Sequence, residues 1–243
     1  GKELEKEIPE VDYWTGTYKP GELLQKMGFA GKGACNPEAL PRLNLGGLPH
    51  HAYLKIAEGC NRRCAFCAIP NIRGPQASRP IDELVKEAQE LESQGVKELT
   101  LIAQDTTFFG HEKGKKGGTL FELLQALLAQ TNIPWIRMLY WYPAFVSDEL
   151  LELMAKEPRL CKYIDMPIQH ASDKILKAMR RQYTAEELRS ILRRIREKVP
   201  GVTLRTTVLV GFPDETHEDI EEKMKLLQEK QNEHHGNYEY KPE

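Results

Sequence analysis

From residue 52 onward the chain alternates between two hydrophobic periods. Short apolar runs, AYLKIA (52–57), VKELTLIA (96–103), IPWIRMLYWYP (133–143), LCKYIDMPI (160–168) and VTLRTTVLV (202–210), predict strands. Between them leucines recur every three or four positions. That spacing predicts helices over PIDELVKEAQELESQG (80–95), TLFELLQALLAQ (119–130), SDELLELMAKE (147–157), SDKILKAMRR (172–181), TAEELRSILRRIREKV (184–199) and ETHEDIEEKMKLLQEK (215–230). Pro80 opens the first of these and Gly95 closes it, while Ser147 is placed to cap the third. Repeated βα units imply parallel strands joined by right-handed helical crossovers. The fold class expected is α/β with a parallel sheet, and in parallel barrels and open sheets alike the chemistry lies at the carboxyl ends of the strands. Those ends are Glu58–Gly59, Gln104–Asp105, Tyr142–Pro143, Gln169–His170 and Gly211–Phe212.

One connection breaks the rhythm. Loops from strand to helix usually take about 2–6 residues, yet roughly twenty separate the first strand from the first helix. The ends of the chain differ from its middle. Residues 1–49 are rich in glycine and proline, with only PGELLQKMG (20–28) helix-like, and read as a linker or the tail of another domain. Residues 50–230 form the core, and 231–243 read as a polar tail.

Composition narrows the class. Of 243 residues, 40% are hydrophobic and 29% charged, which suits a globular protein with a substantial core. Lys and Arg (34) nearly cancel Asp and Glu (36), so no global field points to a nucleic acid or membrane partner. No apolar run approaches the roughly 20 residues of a membrane span. A cytoplasmic setting, with reduced thiols, is expected.

The long first loop contains GCNRRCAFCAIPNIRG (59–74), with Cys60, Cys64 and Cys67 in a C-x3-C-x2-C pattern. The chain has five cysteines, an odd number, and three crowded together cannot all pair, so disulfides are the weakest reading. Structural zinc takes four ligands, and His50 or His51 could supply the fourth. A 4Fe–4S cluster can be held by three cysteines if one iron is reserved for another ligand. Arg62 and Arg63 would help keep neighbouring thiols ionised. Three thiolates at a barrel mouth suit a small molecule meeting that open iron.

The same stretch, with aromatic Phe66 before the last cysteine, resembles the radical S-adenosylmethionine (SAM) signature. The resemblance implies an incomplete parallel (βα) barrel and a 4Fe–4S cluster on Cys60, Cys64 and Cys67, whose unique iron binds SAM and cleaves it reductively to a 5′-deoxyadenosyl radical. YLKIAEGCNRRCAFCAIPNIRG with SRPIDELVKEA is similar to the methylthiotransferases within that superfamily. AQDTTFFG (103–110) and YIDMPIQHASDKILKAMRR (163–181) resemble the RimO-like branch, which modifies an aspartate on the twelfth protein of the small ribosomal subunit. The alternatives are the MiaB-like branch, acting on isopentenyl-adenosine in tRNA, and a zinc-stabilised binding module. The family resemblance implies an electron donor such as flavodoxin or ferredoxin. It also implies three further cysteines for a second cluster before this chain begins, and a sixth strand and a TRAM domain after it ends. Asp214 in GFPDET stands where the family usually has glycine.

Candidate SAM contacts follow from the strand ends and the resemblance. Phe66 belongs to the signature, and Gln104 and Asp105 close the second strand, where the superfamily usually meets the amino group of SAM. Gln169 ends the fourth strand. Arg205 lies within an apolar strand and needs a carboxylate, from SAM or from the protein. Gly211 would allow close approach of a ligand to the backbone. Tyr140, Trp141, Tyr142 and His170 read mainly as packing or satisfied polar groups, and Cys35 and Cys161 as unligated thiols. GHEKGKKGG (110–118) reads as a mobile surface loop. The basic run from Lys177 to Lys198 reads as a solvated face, with RNA contact as the alternative.

Overall fold

The computed structural model describes residues 4–14, 25–28, 47–116, 118–229 and 234–240. The chain divides into two compact units, Gly1–Leu43 and Asn44–Glu243. In the first, the described residues include one short helix, α1 (Leu4–Glu7). Most of the helix expected at 20–28, and Cys35, lie outside the described residues.

The second unit is built on a six-stranded sheet in the order β1-β4-β5-β6-β7-β8. Its strands are β1 (His51–Lys55), β4 (Glu98–Ile102), β5 (Trp135–Met138), β6 (Leu160–Asp165), β7 (Thr203–Val210) and β8 (His234–Glu239). Every neighbouring pair is parallel. β1 and β8 are the two edges of the sheet, so the barrel is open. Two residues apiece form β2 (Ala57–Glu58) and β3 (Ala77–Ser78), an antiparallel pair outside the main sheet.

The expectation of a polar tail over 231–243 is corrected by β8. Residues 234–239 extend the sheet, in register from Arg205↔His234 to Val210↔Glu239. HHGNYE lacks the apolar run of an inner strand, which is why periodicity passes over it. An edge strand has only one neighbour and needs less apolar surface.

The long helices are α3 (Ile81–Ser93), α4 (Leu120–Gln130), α5 (Asp148–Lys156), α7 (Ala185–Lys198) and α8 (His217–Glu229); α2 (Ile69–Arg73) and α6 (Asp173–Ala178) are short. Three of the long helices start where a side chain satisfies their first amides. Thr119 accepts from the Glu122 amide and Ser147 from that of Leu150, while Thr184 and Glu187 form a reciprocal capping box. Leu84, Leu91, Leu123, Leu124, Leu127, Leu151, Leu188 and Ile195 are fully buried in one continuous core. They pack with Leu54, Leu99, Leu101, Ile136, Met138, Ile164 and Leu204 from alternate positions of the strands. Burying one such side chain stabilises by about 1.5–3 kcal/mol.

The intervening strand positions face the other way, into the curl of the sheet, and most are polar, with Ile102, Trp135 and Leu209 as exceptions. Arg137 Nε donates to Glu98 Oε1 at 2.6 Å, and its guanidinium lies 5.0 Å from the Tyr163 ring. His51 bonds Thr100 (3.0 Å), and Arg205 bonds Asp165 (2.8 Å). One face of the sheet is a hydrocarbon core and the other is a charged lining.

Candidate functional site

The twenty-residue loop after β1 is a closed structure. At its base, β2 and β3 pinch the two ends together, with Ala57 opposite Ser78 and Glu58 opposite Ala77. Just inside, the Cys60 amide donates to Gly74 O (3.1 Å) and the Gln76 amide to Asn61 Oδ1 (3.0 Å). Gly59 makes the pinch sterically possible. Its φ is +77°, and a Cβ there would lie 2.3 Å from Pro75 O and 2.6 Å from Gly74 O. Periodicity gives no hint of this requirement; the glycine immediately before the first cysteine is the only signal the sequence offers.

The loop brings Cys60, Cys64 and Cys67 to one cavity of about 690 Å³, lined also by Asn61, Arg63, Pro70, Asn71, Pro75 and Arg180. All three thiols are free. The Arg62 amide donates to Cys60 Sγ (3.3 Å) and Arg181 Nη1 to Cys64 Sγ (3.4 Å). Burial pushes the Cys60 thiol above its ordinary value, against the pull of the Arg62 amide. The loop tip is tied down elsewhere, as the Ala65 amide donates to Met179 O (3.0 Å).

This donor set fits an iron–sulfur cluster better than a zinc ion. The loop supplies three thiols, one short of the four protein ligands of a structural zinc site. His51 begins β1 and Cys60 lies past its end, so the histidines are separated from the cysteines by more than about 13 Å of strand. Three free thiols around a cavity of ligand size suit a cubane together with a small molecule.

The six candidate SAM contacts fall in different surroundings. Gln104 follows β4, and its side-chain Oε1 is buried without a hydrogen-bond partner. Gln169 is held in the left-handed region (φ +68°) by backbone bonds to both sides: its amide donates to Thr207 O, and its carbonyl accepts from the Leu209 amide. Strain of this kind concentrates at functional positions. Arg205 has its carboxylate in Asp165, a protein acid, but its side chain is still 38% exposed. Asp105 is 2% exposed and fully engaged: Arg62 Nε donates to it (2.9 Å), as do the Thr107 hydroxyl and the Phe108 amide. Phe66 packs against Ile175, Met179, Leu209 and Phe212. Gly211 (φ +82°) has open space where a side chain would stand, and its amide donates to Glu215.

Other expectations meet clear answers. His170 is a satisfied buried group, with Nδ1 accepting from the Ser172 amide and Nε2 on Glu215 Oε1 (2.7 Å). Glu215 also accepts from Lys223 (2.6 Å), which donates in addition to Leu209 O. Trp141 and Tyr142 are buried, whereas Tyr140 is exposed with φ +61°. Asp214 adopts φ +65°, the backbone region in which glycine is at ease. The segment around 110–118 is anchored to β3, since Glu112 accepts from the Ser78 amide and Lys113 donates to Ser78 O. The basic face of α7 is engaged with α5: Arg194 and Lys198 reach Asp148, and Lys198 also reaches Glu152. Among the described residues no helix is long and apolar enough to cross a membrane.

Comparison with known proteins gives the family. The chain is 48% identical over 241 residues to the ribosomal protein uS12 methylthiotransferase RimO of Flavobacterium johnsoniae, covering 99% of this chain and 54% of that protein. The RimO of Chloroherpeton thalassium is 45% identical, with 99% and 54% covered. The chain thus spans about half the length of the curated relatives it matches. In fold it is similar to the radical SAM methyltransferase TsrM of Kitasatospora setae, solved with cobalamin and a [4Fe-4S] cluster (TM-score 0.62, 20% identity, 77% of this chain and 36% of that one). It is also similar to coproporphyrinogen III oxidase HemN of Escherichia coli, described as a radical SAM enzyme (TM-score 0.57, 16% identity, 80% and 45% covered). The sequence profile of the Radical SAM superfamily matches residues 54–227, from within β1 to within α8. That span is most of the chain, and it places the protein in the radical SAM superfamily.

Proposed function

We propose that this chain is the radical-generating core of a methylthiotransferase acting on an aspartate of ribosomal protein uS12. The observation that carries the reading is identity of 43–48% to uS12 methylthiotransferases over 93–100% of the chain. The three-thiol cavity supports it. When bound, the cluster and SAM supply a 5′-deoxyadenosyl radical able to take a hydrogen atom from carbon.

The chain's own residues hold and shield. Cys60, Cys64 and Cys67 supply the ligands, and the β2–β3 pinch fixes their loop. Gln104, with its unpartnered buried oxygen, Gln169 and Arg205 are the groups we assign to orient SAM. Asp105 acts one step back, since it clamps Arg62 inside the cysteine loop. Phe66 closes one side with hydrocarbon, and the open backbone at Gly211 admits the nucleoside. A one-electron donor such as flavodoxin or ferredoxin completes the reaction. Arg194 and Lys198 of α7 are paired to α5 and Arg189 to Glu229 of α8, which supports reading this basic run as a structural face.

The test uses a uS12 peptide whose target aspartate carries deuterium on the β-carbon. Reconstituted chain, SAM and dithionite are expected to yield 5′-deoxyadenosine containing that deuterium. Formation of 5′-deoxyadenosine without label would reject the aspartate while leaving the radical chemistry. Four irons per chain and no 5′-deoxyadenosine would reject both.

A further inference from the structure

The sequence places Arg181 in a basic run that reads as a solvated helix face. The structure places it behind the cysteine loop, 117 positions from the thiol it touches. All three guanidinium nitrogens are engaged. Nη1 donates to Cys64 Sγ (3.4 Å), Nη2 to Pro167 O (2.8 Å) and Nε to Tyr183 Oη (2.8 Å). Tyr183 is buried, and its hydroxyl donates to Ile168 O (2.8 Å). The guanidinium carbon lies 4.5 Å from the Tyr142 ring centroid and 5.1 Å from that of Tyr183. A planar cation fixed at three nitrogens and over two rings has little freedom left.

The Tyr142 ring meets a second guanidinium. Arg62, inside the C-x3-C segment, lies 4.1 Å from the same centroid. It also lies 4.6 Å from Phe145 and 5.0 Å from Phe108, and its Nε bonds Asp105. Arg62 Nη1 donates to Gln182 Oε1 (2.6 Å), and the Gln182 amide donates to Tyr142 Oη (3.1 Å). The segment after α6 and the cysteine loop are thus fastened to one aromatic ring at the end of β5.

We propose that Arg181 is a positioning residue for the cluster: its bond to Cys64 Sγ orients that thiolate and raises the cluster's reduction potential. The inference rests on the cluster of the preceding section, and it adds how the protein adjusts it. An N–H···S bond from a cation withdraws charge from the ligand and favours the reduced cluster, which carries one more negative charge. A lysine has the charge but no planar fork to keep the Pro167 and Tyr183 contacts while reaching the sulfur. A purely structural strut, by contrast, would affect folding or loading and leave the potential of a loaded cluster unchanged.

The experiment is an anaerobic redox titration of the reconstituted chain, followed by electron paramagnetic resonance, for the parent, Arg181→Lys and Arg181→Met. At matched iron content both variants are expected to have more negative midpoints, with the methionine variant shifted further. A fully loaded Arg181→Met variant with the parental midpoint would overturn the proposal. A measurement on the parent covers the case in which the variants do not fold. Arginine labelled with 15N in the guanidinium is expected to show nuclear coupling to the reduced cluster in pulsed spectra, and lack of coupling would also overturn the proposal. A parent that binds no cluster would reject the preceding reading instead.

Discussion

The two faces of the main sheet divide the work of the molecule. The helix-covered face is built from Leu54, Leu99, Leu101, Ile136 and Leu204, which pack without gaps in charge or polarity. The inner face carries Arg137 on Glu98, Arg205 on Asp165 and His51 on Thr100. Side chains alternate along a strand, so five short strands supply both faces from interleaved positions. The difference teaches where to expect stability and where function. Hydrocarbon packing is replaceable in kind but sensitive to volume, whereas the inner ion pairs depend on keeping both charges, since Asp165 is fully buried beside Arg205.

Mutation at the mouth is expected to have the largest effect, because the cysteine loop joins the two faces. Gly59→Ala forces a Cβ into the Gly74 and Pro75 carbonyls. It should abolish cluster loading, read as lost absorbance near 400 nm after reconstitution, while circular dichroism shows the helices intact. Normal iron content in this variant would mean the loop is looser than the β2–β3 pinch implies.

On the helical face, Leu124→Ala removes a fully buried side chain. It should cost about 2–5 kcal/mol, measured by denaturant unfolding. On the inner face, Arg205→Lys keeps a cation beside the buried Asp165 and should change stability by less than about 1 kcal/mol, yet weaken SAM retention in equilibrium dialysis with iron content unchanged. Equal destabilisation by the two substitutions would erase the contrast between the faces.

Much of this arrangement was legible in the sequence. Leucine spacing gave the helices, Ser147 caps its helix as its side chain suggested, and Cys60, Cys64 and Cys67 meet at one cavity. What escaped was long-range or one-sided. IPWIRMLYWYP looked like one strand, but only Trp135–Met138 pairs, because Tyr140 turns with positive φ and Trp141 and Tyr142 leave the sheet to pack. The edge strand β8 has too little apolar content to announce itself. Arg181 reads as part of a solvated basic face and Arg62 as a cation beside the thiols, and neither reading foresees that tertiary contact brings both to Tyr142. Asp105 has the look of a ligand contact, yet its oxygens are engaged by Arg62, Thr107 and Phe108. Spacing reports neighbours along the chain and is blind to a partner more than a hundred residues away.

A smaller effect should come from acid. Burial holds the His170 imidazole below its ordinary value, so the folded state keeps it neutral. The unfolded chain takes up that proton first, and stability is lost as pH falls below about 6.5. Hydrogen bonds from Ser172 and Thr216 hold Asp219 well below the usual carboxylate range, which adds a further loss as pH falls below about 4. Thermal unfolding from about pH 8 to about pH 2 should therefore show a falling midpoint in two stages. His170→Gln should flatten the upper stage and leave the lower one.

The central claim is that three thiols at the end of β1 hold one cluster. Iron and acid-labile sulfide per chain, determined after anaerobic reconstitution of the parent and of the Cys60→Ala, Cys64→Ala and Cys67→Ala variants, test it most directly. About four irons and four sulfides in the parent, lost in each variant, is the result the account predicts. Stoichiometric zinc without sulfide, or full iron retained in any one of the three variants, would contradict it.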